Sequence, residues 1–192
     1  SDLGIRVDTA SLRGKRGNWL IDPYDIDVVA IYPAELGSVD EFGDAPSTGT
    51  ASIGADTISN AGSNVKLQAT HRINFNSAIN MVNPGIGLTA IAGESINVNS
   101  PITTSAGSVI LSANNASGGN AYGFGATLNL NAAINTNGGN ANLSGASVKG
   151  AGTVNAGGGD LTLLANDSSG GISLSGSADG NQLTGGTLRL EA

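Results

Sequence analysis

This chain has no cysteine, and only one histidine, one methionine and one tryptophan among its 192 residues. No disulfide or thiolate-held metal can staple it, and cysteine usage gives no sign of its redox compartment. Aromatic residues make up 4% and charged residues 12%, so the strong helix formers Glu, Lys and Arg are scarce and a helical bundle is disfavoured. The eight basic residues are dispersed among fifteen acidic ones, which leaves no electrostatic footprint for nucleic acid. No apolar run approaches the roughly 18 residues that a membrane-spanning helix requires, so no membrane span is expected. What the chain does have is 30 Gly and 21 Asn. Gly supplies corners at positive φ, and Asn tolerates them while bonding its own backbone. Between these corner formers Val, Ile and Leu return at strand spacing, and the net charge is only −7, a pattern that argues for a packed fold over disorder.

The return is periodic. An alternating apolar strand ending in Leu follows a Gly- or Asn-rich corner six times: NVKLQA (64–69), GIGLTA (85–90), SVILSA (108–113), NANLSG (140–145), DLTLLA (160–165) and TLRLEA (187–192). The last leucines stand at 67, 88, 111, 143, 163 and 190, giving spacings of 21, 23, 32, 20 and 27. A period near 20 with insertions marks stacked units, none of which buries its apolar face alone. A second strand follows most copies: INFNSAIN (73–80), INVNSPIT (96–103) and LNLNAAIN (128–135), with weaker versions at 147–155 and 172–179. In these strands Ile73/Phe75, Ile96/Val98 and Leu128/Leu130 share one face, and asparagines 74/76, 97/99 and 129/131 share the other. A 21-residue coil has at most about 70 Å of contour at roughly 3.3 Å per residue, enough for two or three short strands with tight corners and no helix. The expected fold is therefore all-β, a parallel β-solenoid of about six or more coils of about 20 residues. Val65, Leu67, Ile73, Phe75, Leu88, Ile96, Val98, Leu111, Leu128, Leu130, Leu143, Leu161 and Leu163 should line its core.

The organisation is uneven. Residues 1–32 read as one or two irregular coils, and nine of the fifteen carboxylates lie before position 45, Asp22, Asp25 and Asp27 among them. Residues 33–52 read as an acidic, turn-rich loop, and residues 53–192 as regular coils with an insertion at 114–126 that lengthens one repeat. The chain opens SDLGIRV without a signal peptide and stops at TLRLEA in mid-coil, so the expectation is a segment of something longer, with neighbouring segments of the same parent chain as partners.

Two stretches carry a family resemblance. GNWLIDPYDIDV (17–28) resembles the G-x-W-L-L-D-P signature of the large exoproteins of bacterial two-partner secretion, the filamentous haemagglutinin-like adhesins. The acidic loop follows as it does in that family, and GSNVKLQATHRINFNSAIN and GESINVNSPITTSAG resemble the family's downstream coils. The resemblance implies a right-handed parallel β-helix within a secreted or cell-surface bacterial passenger, exported through an outer-membrane transporter. It also implies adhesion to a host or bacterial surface glycan or protein, without naming a receptor.

Residues that could carry chemistry are few. His71 lies in the corner THRI with no neighbouring His or Cys, and reads as a solvated turn residue. Catalytic β-helices need clustered carboxylates as acid/base pairs or calcium ligands. The regular coils offer only Asp56, Glu94, Asp160, Asp167, Asp179 and Glu191, scattered over different coil positions. The single AGGGDLTL (156–163) does not recur at nine residues as a calcium-binding repeat would. No catalytic residue, metal or cofactor is therefore expected, and the chain reads as a non-enzymatic stalk or adhesion segment. The competing reading is a carbohydrate-active or carbohydrate-binding β-helix. For binding, Tyr122 and Phe124 in the 114–126 insertion are the candidates, since aromatic rings stack on sugar faces. The asparagine columns read as ladders of stacked amides along the rod. Three N-x-S sequons, at Asn115, Asn142 and Asn166, are matches expected by chance in a chain this rich in Asn and Ser.

Overall fold

A computed structural model describes residues 18–21, 23–30, 49–115, 125–175 and 183–192. The chain opens with β1 (Asn18–Ile21), β2 (Asp25–Val29), β3 (Thr50–Gly54) and a short helix α1 (Ala55–Ser59). Regular coils of three strands follow: β4 (Asn64–Ala69), β5 (Ile73–Phe75) and β6 (Ile79–Met81); then β7 (Leu88–Ala92), β8 (Ile96–Val98) and β9 (Ile102–Thr104). The next are β10 (Val109–Ser112), β11 (Thr127–Leu130) and β12 (Ile134–Asn135); then β13 (Ala141–Gly145), β14 (Ser147–Gly150) and β15 (Val154–Asn155). The last are β16 (Leu161–Ala165), β17 (Ile172–Leu174) and β18 (Leu183–Thr184), and β19 (Leu188–Glu191) begins another turn.

Each strand hydrogen-bonds to its counterparts in the adjoining coils, always in parallel, so three sheets run along the rod. The first sheet is β1-β4-β7-β10-β13-β16-β19, the second is β3-β2-β5-β8-β11-β14-β17, and the third is β6-β9-β12-β15-β18. The fold is the expected β-solenoid, of about six turns. Strands this short cannot bury an apolar face by themselves; stacking the coils closes one core between the three sheets. All thirteen residues expected in the core belong to a single buried cluster. Each large aliphatic side chain buried there contributes about 1.5–3 kcal/mol relative to exposure.

The register differs from the simple alignment of terminal leucines. Leu88 lies beside Val65, and Leu67 beside Ala90, which in turn lies beside Leu111. The aligned column thus runs 67, 90, 111, 143, 163 and 190. Because strand faces alternate every two residues, a two-residue offset leaves Leu88 in the core and is invisible to hydrophobic pattern alone.

Two further departures lie near the start. The acidic loop was expected to extend to residue 52, but Thr50–Gly54 is already strand and pairs with β2. The coil contour was expected to exclude helix, yet α1 occupies the place of a third-sheet strand in the first coil. Ala55 and Ile58 are its buried residues, and it packs against β6. The contour argument took every coil to be alike; in this first coil Ser59 Oγ of the helix accepts the Asn80 N–H of β6 at 2.9 Å, so a side chain meets part of the edge that a strand ladder would otherwise cover. Within the GNWLIDPYDIDV segment, Asn18–Ile21 form β1 and Asp25 begins β2 (Asp25–Val29).

Glycine permits the closest corner-to-corner approach. Between the third and first sheets, Gly107, Gly139 and Gly159 stack one coil above another. A Cβ on Gly139 would lie 2.3 Å from the Gly107 carbonyl oxygen, and one on Gly159 2.3 Å from that of Gly139.

Candidate recognition surfaces

The outer face of the second sheet carries the asparagines. Asn74, Asn97 and Asn129 stand in register behind Asp27. Asn129 Nδ2 donates to Asn97 Oδ1, Asn97 Nδ2 to Asn74 Oδ1, and Asn74 Nδ2 to Asp27 Oδ1, each at 2.7 Å. A parallel column joins Asn131 to Asn99 and Asn99 to Asn76, each at 2.9 Å. The expected ladder is present, and it has a direction. Every amide in the first column points its NH2 towards Asp27 and its carbonyl towards the coil in which Lys149 stands beside Asn129. The aligned amide dipoles therefore end on an anion at their positive end and lead towards a cation at their negative end, the arrangement that stabilises a row of dipoles. The ladder uses one donor and one acceptor of each inner amide.

The corner between the first and second sheets holds a charged cluster that the sequence did not reveal. His71 is not a solvated turn residue: its side chain is 17% exposed and wedged between two carboxylates. Its Nδ1 lies 2.9 Å from Asp25 Oδ1, and its Nε2 meets Glu94 Oε2. Tyr24 stacks on the ring, with centroids 5.0 Å apart and planes at 21°. The Arg72 backbone N–H donates to Asp25 Oδ1 at 2.9 Å, and its Nε to Glu94 Oε1 at 3.1 Å. That bond to Glu94 raises the Arg72 guanidinium above its ordinary range, against a smaller opposing effect of burial. Three successive coils are joined here, by Asp25, His71 and Glu94. These residues are 46 and 23 positions apart, so only the coil register brings them together.

On the outer face of the first sheet lies a groove of about 230 Å³. It crosses β4, β7 and β10 where they leave the third-sheet corner, and Asn64, Lys66, Gly85, Gly87, Thr89, Ser108 and Ile110 line it. Its origin is local. The corner at 82–87 is two residues longer than the equivalent corner at 105–108, and it turns at Gly85 with φ +71°. Asn64 Oδ1 pins it by accepting the Gly87 N–H at 2.9 Å.

Tyr122 and Phe124, the ring residues expected to face a sugar, lie outside the described residues. Among the described residues no group of three or more His, Cys, Asp or Glu side chains is placed to hold a metal ion, and no helix is long and apolar enough to cross a membrane. The length of the corner 82–87 was the one sequence signal for the groove, readable from the NPG turn against the shorter SAGS. Comparison with protein-family models, with curated proteins and with solved structures finds no match.

Proposed function

We propose that this chain is a structural segment of a large secreted or surface-displayed bacterial exoprotein, a two-partner secretion passenger of the adhesin type. Its work is mechanical, as a non-enzymatic rod that holds other regions away from the cell. The observation that supports this most is the parallel register of three sheets around one core, with an amide ladder running along the axis from β2 to β11 on the outer face of the second sheet. Bonds along the rod resist both bending and pulling apart of coils, which suits a spacer. The motif resemblance of residues 17–28 and the acidic stretch that follows supply the exoprotein context, and an outer-membrane transporter would be the export partner.

The test is made in the native organism, with an epitope placed in the 114–126 insertion of the parent protein. Antibody labelling of intact cells is expected, and it should vanish when the adjoining outer-membrane transporter gene is deleted. Retention inside the cell, or labelling that ignores the deletion, would refute the export reading. The catalytic alternative is tested on the isolated chain with a panel of polysaccharides, with and without calcium. No reducing ends or unsaturated sugars should be released; release abolished by Glu94→Gln or Asp25→Asn would overturn the stalk.

A further inference from the structure

We infer that the groove on the first sheet is a binding site for a single acidic sugar residue, a carboxylate-bearing pyranose such as a uronic acid. The inference stands apart from the stalk reading, since a rod with or without an export partner carries the same groove.

Its chemistry is complementary to that ligand on three counts. The charge comes from Lys66, whose side chain forms no ion pair or hydrogen bond among the described residues. The other cations of the regular coils are placed differently: Arg72 is bound to Glu94 and Arg189 to Glu191, and Lys149 stands on another sheet. In a chain of net charge −7, an unpaired ammonium in a concavity is where an anion would be drawn. The hydroxyls of Thr89 and Ser108 line the same groove and have no bonded partner among the described residues, so they can exchange hydrogen bonds with ring hydroxyls. The third count is shape. Gly85 presents bare backbone with nothing within 4 Å of where a Cβ would stand, so a ring can lie close, and Ile110, 37% exposed, offers an aliphatic ledge to the C–H face of a pyranose. A volume of about 230 Å³ accommodates one sugar ring and falls below the several hundred Å³ of drug-sized pockets. A neutral sugar would leave Lys66 unmatched, and a small anion would leave Ile110 and the space over Gly85 empty.

The experiment is an amide NMR titration of the 192-residue chain with methyl glucuronide, using methyl glucoside and acetate as comparators. Saturable shifts on Gly85, Gly87, Thr89 and Ser108 are expected with the glucuronide, with a dissociation constant in the millimolar range. Lys66→Gln should weaken binding at least about tenfold, with the spectrum otherwise showing the folded chain, and Lys149→Gln should leave it unchanged. Four results would overturn the proposal: no saturable shift up to about 10 mM, equal binding of acetate, equal binding of the glucoside, or shifts that survive Lys66→Gln.

Discussion

Replacing Asn97 with Ala cuts the amide ladder at its middle rung. Asn97 accepts a hydrogen bond from Asn129 and donates one to Asn74, both at 2.7 Å, so the substitution removes two bonds and leaves one donor and one acceptor without their partners. A hydrogen bond of this kind is worth about 0.5–1.5 kcal/mol net. The site is half-buried, so water repairs part of the loss, and the expected cost is about 1–2 kcal/mol. For a chain of this length that corresponds to a fall in Tm of roughly 2–8 °C. Asn99→Ala also removes two bonds, but from an exposed column at 2.9 Å, and should cost less, under about 1 kcal/mol. Asn97→Asp keeps the acceptor for Asn129 but sets oxygen against the Asn74 carbonyl and adds an anion two rungs from Asp27. It should cost at least as much as alanine. Thermal and urea unfolding followed by far-ultraviolet circular dichroism would measure all three, with an unchanged urea slope showing that compactness is preserved. If Asn97→Ala leaves the midpoint unmoved, or Asn99→Ala proves the costlier, the ladder is ornament and the reasoning fails.

Other perturbations test other layers. Leu111→Asp buries an uncompensated carboxylate between coils and should unfold the rod, with loss of the strand signal and of solubility; a cooperatively folded mutant would contradict the core register. Gly139→Ala sets a methyl group 2.3 Å from a backbone oxygen, while Gly158 has nothing within 4 Å of a Cβ. The first should destabilise by about 1–3 kcal/mol or more and Gly158→Ala by far less, as urea midpoints will show. Glu94→Gln leaves His71 and Arg72 without their shared anion and should lower Tm by a few degrees, with faster amide exchange at Thr70–Ile73 and little change in the β16 coil.

How much was legible in the sequence depended on whether a contact repeats. Strand faces, core membership and the asparagine columns all recur from coil to coil, so Ile73, Ile96 and Leu128 announce one another, and so do Asn74, Asn97 and Asn129. Register was half legible: Leu88 was known to face inward, but its partner was Val65 and not Leu67, because period-two patterning fixes the face and leaves the offset to the length of each corner. What occurs once was hidden. Asp25, His71 and Glu94 meet only after coil lengths of 46 and 23 residues have been wound, and α1 depends on which coil is first. The lone histidine therefore looked like a surface residue, although its two nitrogens are the tie between three coils.

The placement of β3 bears on the order in which the rod can be assembled. Its strand lies on the far side of β2 from β5, so the chain steps back by one layer before it advances. Both neighbours of β2 are therefore supplied by residues that follow it, at 50–54 and 73–75. A chain delivered from its N-terminus, whether by a ribosome or through a pore, must hold these early residues in waiting until about two coils' worth of chain has arrived. Once they are clamped from both sides, each later coil finds a finished edge and adds to it singly.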